Sequence, residues 1–188
     1  MTELQFITSN TGKYEEVRKK LSELEINVVK KDIGYPEIQV DSLEKVVEYG
    51  LSYLEFNMEG NWLIDDSGLF IESLNGFPGV YSAYVFKTIG CEGILSLMKN
   101  KDNRKAYFKS CMGLVIDNKK IIVEGICEGQ IIYGKKGKMG FGYDPIFVPN
   151  EKNKTFAEME IDEKNLLSHR SRALSKLSEH LISEFIQK

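Results

Sequence analysis

The 188-residue sequence contains no run of about 18 uncharged apolar residues, the length that a membrane-spanning helix needs. No basic segment precedes a long apolar stretch at its start, so no secretory signal is indicated. Basic residues are not in excess, because 25 Lys and Arg stand against 28 Asp and Glu for a net charge of −3. A duplex nucleic-acid partner usually requires a basic face. These absences predict a cytoplasmic protein with no membrane and no nucleic-acid partner.

Cysteine is scarce as well. Cys91, Cys111 and Cys127 are odd in number and widely spaced, which excludes a C-x-x-C zinc knuckle and a disulfide framework. The 42% hydrophobic and 28% charged residues are typical of a globular chain, and the length is sufficient for one core. Because no linker, repeat or low-complexity segment interrupts the chain, we predict one domain over residues 1–188.

The order of the apolar segments predicts an α/β fold. A strand over residues 4–8 leads through a turn into a helix from Lys13 onward, and a second strand follows at 26–30. Residues 105–133 alternate in the manner of two or three antiparallel strands. A final helix is predicted over residues 168–187. This succession of strands and helices indicates helices packed on a sheet.

The first candidate site is the turn SNTGK, residues 9–13, between a strand and a helix. A helix N-terminus offers free N–H groups and the positive end of the helix dipole, so it binds phosphate readily. Lys13 adds a positive charge, and Gly12 lets the backbone approach a ligand. The alternative, favoured from this turn alone, is that a polar side chain only caps the helix.

The second candidate is LIDDSGL, residues 63–69. The apolar residues before it predict a buried strand that ends at Asp65 and Asp66, followed by a Ser-Gly turn. A buried carboxylate costs several kcal/mol unless it is paired. One interpretation is an Asx-type turn. The other is a Mg²⁺ site, which takes one or two carboxylates plus substrate phosphates and which Glu37 could complete.

Two further segments are candidates. In GFGYDPIF, residues 140–147, Phe141 and Tyr143 offer faces on which a base could stack, and a tight turn with aromatic plugs is an equal alternative. In SHR, residues 168–170, Arg170 lies in the first turn of a helix, where a cation opposes the dipole. That position predicts an anionic or acceptor-rich group facing Arg170.

The segments TSNTGK, DDSGL…NGFPGVYSAY, GFGYDPIF and SHR.RAL occur together in this order. In this combination the chain resembles the Ham1-like inosine/xanthosine triphosphate pyrophosphatases almost from end to end, and it is most similar to their archaeal branch. The resemblance implies an α/β, ITPase-like fold with a long mixed β-sheet flanked by helices, two lobes and a central cleft. It also implies hydrolysis of ITP, dITP and XTP to the monophosphate and pyrophosphate, Mg²⁺ as the cofactor, and a homodimer.

The resemblance also assigns roles by position. The phosphates would be held by six consecutive residues: Thr8, Ser9, Asn10, Thr11, Gly12 and Lys13. Glu37 and Asp66 would hold Mg²⁺, Asp66 would also be the general base, and Ser67 would contact the substrate. The base would be held by Phe141, Gly142, Tyr143, Asp144, Lys164, His169 and Arg170. Since Arg170 only donates hydrogen bonds, it would favour a six-oxo purine over adenine.

Two positions depart from the bacterial pattern of that family. Gly50 stands nearest to a bacterial lysine, and Tyr84 stands where many bacterial members have arginine.

Two other functions remain alternatives. A nucleotide sensor would bind without cleaving, but it needs no carboxylate cluster beside an anion. A Maf-like pyrophosphatase for modified pyrimidines would share the chemistry but lacks the base-loop motifs.

Overall fold

The computed structural model describes residues 3–150 and 152–185. Its sheet has six strands in the order β2-β1-β3-β4-β5-β6. The strands are β1 (Glu3–Ile7), β2 (Asn27–Lys31), β3 (Trp62–Ile71), β4 (Lys105–Ile116), β5 (Lys119–Ile131) and β6 (Phe147–Pro149). β1 is parallel to β2 and to β3, whereas β5 and β6 are antiparallel. The predicted mixed sheet of an α/β fold is therefore confirmed.

Six α-helices accompany this sheet in the described ranges. They are α1 (Thr11–Ser22), α2 (Leu43–Leu54), α3 (Ser82–Thr88), α4 (Gly90–Leu97), α5 (Ile161–Asn165) and α6 (His169–Phe185). Within residues 3–150 and 152–185, no helix is both long enough and apolar enough to cross a membrane.

The chain divides into two compact units, each with its own apolar core. The first unit comprises the described residues of Met1–Asp66, Ser110–Gly125 and His169–Lys188, and the second those of Ser67–Lys109 and Ile126–Ser168. The first core includes Phe6, Leu63 and Leu177, and the second includes Phe108 and Phe147. One domain over residues 1–188, with a central cleft, stays a prediction.

The parallel strands β1, β2 and β3 explain why distant residues of the first unit meet. Ile7, the last residue of β1, pairs in register with Lys31 of β2 and with Ile64 of β3. The residues that follow Ile7 and Ile64 therefore leave their pairing at the same level of the sheet. This register brings the turn before α1 beside Asp65 on one side and beside the end of β2 on the other.

The predicted end of β3 at the two aspartates is wrong. The strand continues through Asp65, Asp66, Ser67 and Gly68 and ends at Ile71. Pairing with β4 in the sheet overrides the turn preference of the Ser-Gly pair. Because successive side chains of a strand point to opposite faces, the two adjacent aspartates enter different environments.

Candidate functional site

The turn between β1 and α1 is stabilised by its own side chains. Asn10 caps the helix, since its Oδ1 accepts a hydrogen bond from the Lys13 backbone N–H at 3.0 Å. Thr8 Oγ1 accepts another from the Asn10 N–H at 3.1 Å. The cap is therefore present, yet the N–H groups of Thr11 and Gly12 lack intrahelical acceptors. They remain suited to bind an anion at the positive end of the α1 dipole.

Two lysine ammonium groups lie at this turn. Lys13 Nζ is 3.0 Å from the Asp65 carbonyl oxygen and 3.1 Å from Asp65 Oδ2. Lys30 Nζ donates to the Ser9 carbonyl oxygen at 3.1 Å and to Thr11 Oγ1 at 3.2 Å. An ammonium has three N–H bonds. The hydrogen bonds named here use two on each lysine, which leaves a third that can bind a ligand oxygen.

Lys30 is a residue at this turn that the sequence motifs did not indicate. It lies in β2, which pairs in parallel with β1 so that Lys30 stands opposite Phe6. The sequence signal was a lysine near the end of the strand next to β1. That signal becomes usable only once the parallel pairing of the two strands is known.

Asp65 is the centre of a buried ionic network in the first unit. Its side chain is fully buried and accepts bonds from Lys13, from Ser110 Oγ and from Arg170 Nε, the last at 3.1 Å. Arg170 also donates through Nη1 to the carboxylate of Glu16. Burial opposes ionisation of Asp65, but the charges of Arg170 and Lys13 and the hydrogen bonds hold its pKa well below the ordinary value.

This network explains how the fold tolerates the buried carboxylate of Asp65. Asp65 is committed to cationic and hydroxyl donors, and it holds Lys13 at the turn rather than offering its oxygens to a metal ion. The anionic partner predicted for Arg170 is found, because both Asp65 and Glu16 face its guanidinium. His169, beside it at the start of α6, is buried. The base-contacting roles of His169 and Arg170 stay predictions.

Asp66 and Glu37 are more accessible than Asp65. Asp66 is half-buried on β3, and Glu37 is exposed in the segment before α2. Burial raises the pKa of Tyr35 well above its ordinary value, and the charges of Asp66, Asp65 and Glu37 raise it further.

These two carboxylates fit the donor set of Mg²⁺. Among the described residues, no three His, Cys, Asp or Glu side chains form a complete metal cage. Mg²⁺, however, keeps several waters and is typically bound by one or two carboxylates plus substrate phosphates. Asp66 and Glu37 match that pattern, whereas Asp65 does not. Ser67, half-buried, follows Asp66 directly on β3.

In the second unit, Asp144 organises the predicted base loop. Its Oδ2 accepts a bond from the Phe141 backbone N–H at 2.8 Å and one from Lys164 Nζ at 2.7 Å. Lys164 Nζ also lies 4.8 Å from the centroid of the Phe141 ring. Gly140 has φ +74°, and a Cβ there would lie 2.1 Å from Asp144 Oδ2. The glycine is therefore required, and it lets Phe141, Asp144 and Lys164 form one cluster.

Tyr143 differs from Phe141 in this loop. Its ring is buried and packs edge-on against Phe86 at 5.3 Å, and its hydroxyl donates to the Ser82 carbonyl oxygen at 3.1 Å. Tyr143 fits the alternative of an aromatic plug. Phe141 and Gly142 are half-buried, so the Phe141 ring is more accessible than that of Tyr143, and its role in stacking on a base stays a prediction.

Comparison with protein families gives one consistent result. A family model described as the Ham1 family matches residues 4–180. A dITP/XTP pyrophosphatase from Pyrococcus horikoshii is 53% identical, with 94% of this chain and 95% of that protein covered. A dITP/XTP pyrophosphatase from Thermococcus kodakarensis is 50% identical over 95% of this chain and 96% of its own length. Both sources agree with the predicted resemblance to the archaeal branch.

Solved structures agree with the sequence relatives. The Staphylococcus aureus Ham1 protein superposes with a TM-score of 0.83 at 27% identity, and it covers 97% of this chain and 100% of its own. A HAM1 protein from Coxiella burnetii has the same TM-score at 30% identity, with the same coverage. The likeness therefore extends over the whole fold and not only over the short motifs.

Proposed function

This chain belongs to the Ham1 family, and from that premise we propose that it is a nucleoside-triphosphate pyrophosphatase. Its substrates are the non-canonical purine nucleotides dITP, ITP and XTP, which it converts to the monophosphate and pyrophosphate, thereby cleansing the nucleotide pool. The observation that best supports this proposal is the position of the Lys13 ammonium. This ammonium is held by Asp65 at the phosphate-binding turn, one residue along β3 from the accessible carboxylate of Asp66.

The phosphate chain binds at the turn before α1. The N–H groups of Thr11 and Gly12 and the positive end of the helix dipole attract it. Lys13 and Lys30 each contribute one remaining ammonium N–H, and Ser9 and Asn10 shape the turn.

The reaction adds one water to the nucleotide. Water attacks the α-phosphorus, the bond from that phosphorus to the α,β-bridging oxygen breaks, and pyrophosphate leaves with the bridging oxygen. Asp66 accepts the proton of the attacking water, and Lys13 offsets charge on the departing pyrophosphate. Phosphoryl transfer requires mainly positioning and charge stabilisation. When bound by Glu37 and Asp66, Mg²⁺ would neutralise phosphate charge and help orient the phosphates.

The function is tested by incubating the protein with Mg²⁺ and a panel of dITP, ITP, XTP, ATP, GTP and modified pyrimidine triphosphates. We expect pyrophosphate, not orthophosphate, from the first three, with kcat/KM at least about tenfold above that for ATP. The reason is that Arg170 only donates hydrogen bonds. A buried donor that is left unpaired against the amino group of adenine costs about 1–3 kcal/mol. Binding without pyrophosphate release would indicate a sensor, and a preference for pyrimidines would indicate the Maf-like alternative.

Lys30→Met should raise KM for dITP by about tenfold and change kcat little, because it removes one charge-assisted hydrogen bond of roughly 1.5 kcal/mol to the phosphates. Steady-state kinetics of purified protein measures both constants. Lys31→Met is the matched control, since Lys31 is the next residue of the same strand and is exposed. Equal KM values for Lys30→Met and wild type would remove Lys30 from the site.

The homodimer and the cytoplasmic location stay predictions. Phe77, Tyr81 and Tyr84 are 38%, 47% and 69% exposed, which is the uncovered apolar surface that a homodimer would bury. A sedimentation mass equal to one 21.5 kDa chain would contradict the dimer.

A further inference from the structure

Glu37 lies in a segment without regular secondary structure. Residues 32–40, between β2 and α2, form neither helix nor strand, and most of them are exposed. Backbone pairing within a sheet or helix therefore does not fix the position of this carboxylate. Metal binding needs its ligands held in a defined geometry. Some other contact must hold the segment in place.

That contact is the ring of Tyr35, two residues before Glu37. A Cβ placed on Gly50 of α2 would lie 2.8 Å from Tyr35 Cε2 and 3.0 Å from its Cδ2. The same point is 2.9 Å from Ile64 Cδ1. The ring of Tyr35 thus packs on α2 in a space that is open only because residue 50 has no side chain. The side chain of Ile64 borders the same space.

We propose that Tyr35 is a positioning residue, whose ring is anchored on Gly50 and Ile64 and thereby holds Glu37 beside Asp66. Ile64 and Asp66 are two residues apart on β3, so their side chains share one face of the strand. Anchoring the ring against Ile64 therefore places the segment on the face that presents Asp66. The inference rests on the proposed function, in which Glu37 and Asp66 hold Mg²⁺.

A feature of the sequence agrees with this anchor. Gly50 is the position nearest to the lysine of bacterial members. In this chain the space beside that position is filled by an aromatic ring from a neighbouring segment.

Mn²⁺ binding provides a test that does not depend on turnover. Mn²⁺ is titrated into each variant in the presence of a dITP analogue with a non-hydrolysable α,β-linkage, and free Mn²⁺ is measured by electron paramagnetic resonance. We expect Tyr35→Ala and Gly50→Ala to weaken Mn²⁺ binding by about tenfold or more, the range found when supports of metal ligands are removed. The conservative Tyr35→Phe keeps the ring and should restore affinity to within about threefold of wild type.

Two controls separate the anchor from general damage. Gly134→Ala tests a glycine with open space around it, and Tyr53→Ala truncates an exposed aromatic residue of the same helix as Gly50. Both should bind Mn²⁺ as wild type does. In addition, kcat of Tyr35→Ala should recover as Mg²⁺ is raised to saturation, because both carboxylates are still present. A variant that merely unfolds would not recover.

Wild-type affinity in Tyr35→Ala, which introduces no clash, would overturn the anchor. The anchor would also be overturned if Tyr35→Phe bound Mn²⁺ as weakly as Tyr35→Ala, because the hydroxyl and not the ring would then support Mn²⁺ binding. These failures differ from failure of the proposed function. In that case the wild-type protein itself would release no pyrophosphate and would show no Mn²⁺ binding with the analogue.

Discussion

Asp66→Asn is expected to lower kcat for dITP by at least about a hundredfold, the usual minimum contribution of a general acid or base. The substitution keeps the size of the side chain but removes its ability to take a proton from water. It also removes one of the two negative charges available to Mg²⁺. Pyrophosphate release at saturating substrate and Mg²⁺ measures the effect.

The stability of Asp66→Asn should remain close to that of wild type, because Asp66 is only half-buried on β3. A thermal melt establishes that the variant is folded when its rate is measured. Turnover within a few-fold of wild type would show that Asp66 is not the base. If the melt shows that the variant is unfolded, its loss of activity is not counted as evidence for the role of Asp66.

Asp65→Asn, one residue earlier and chemically identical, is expected to act on stability instead. It leaves the buried guanidinium of Arg170 and the ammonium of Lys13 without their shared carboxylate. Removing one partner of a buried ion pair typically costs about 3–5 kcal/mol. Denaturant unfolding at neutral pH measures the loss in free energy of unfolding.

A matched control is Asp41→Asn. Asp41 pairs with Lys45 at 3.5 Å, but their side chains are 90% and 61% exposed. An exposed pair of this kind contributes about 0–1 kcal/mol. If the two asparagine variants lose the same small amount, the network around Asp65 does not stabilise the fold as its geometry indicates.

The effect of Asp65→Asn also has a defined pH dependence. The folded-state pKa of Asp65 lies below its ordinary value of 3.8. Its stabilising contribution is therefore fully present above the unfolded-state pKa and is lost as the pH falls toward the folded-state pKa. The difference in unfolding free energy between wild type and Asp65→Asn should be constant between about pH 5 and 7, because that range begins about one pH unit above the unfolded-state pKa. The difference should narrow below about pH 4. A difference that widens on acidification would contradict the assignment.

The local features of the site were accessible from the sequence. The strand, turn and helix around Lys13 follow from apolar periodicity and from a polar turn of four residues, which are properties of neighbouring positions. The unfavourable placement of Arg170 in a first helical turn indicated an anionic partner for the same reason. The resemblance of four ordered motifs to one family supplied the fold.

The partners themselves were not accessible in this way. Asp65 is 105 residues from Arg170, and Glu16 is 154 residues from it. Lys30 reaches the turn only because β2 pairs in parallel with β1. Tyr35 meets Gly50 because an irregular segment folds back on α2. Such meetings depend on sheet register and helix packing, and no local pattern encodes them.

The order of residues along the chain places two carboxylates side by side after an apolar run, close to a lysine-bearing turn in the fold that the motifs indicate. The tertiary structure adds how the environments of the two aspartates differ. Because β3 continues through both residues, alternation sends Asp65 into a buried network of cations and leaves Asp66 accessible. Identical side chains thus acquire different environments on the opposite faces of one strand.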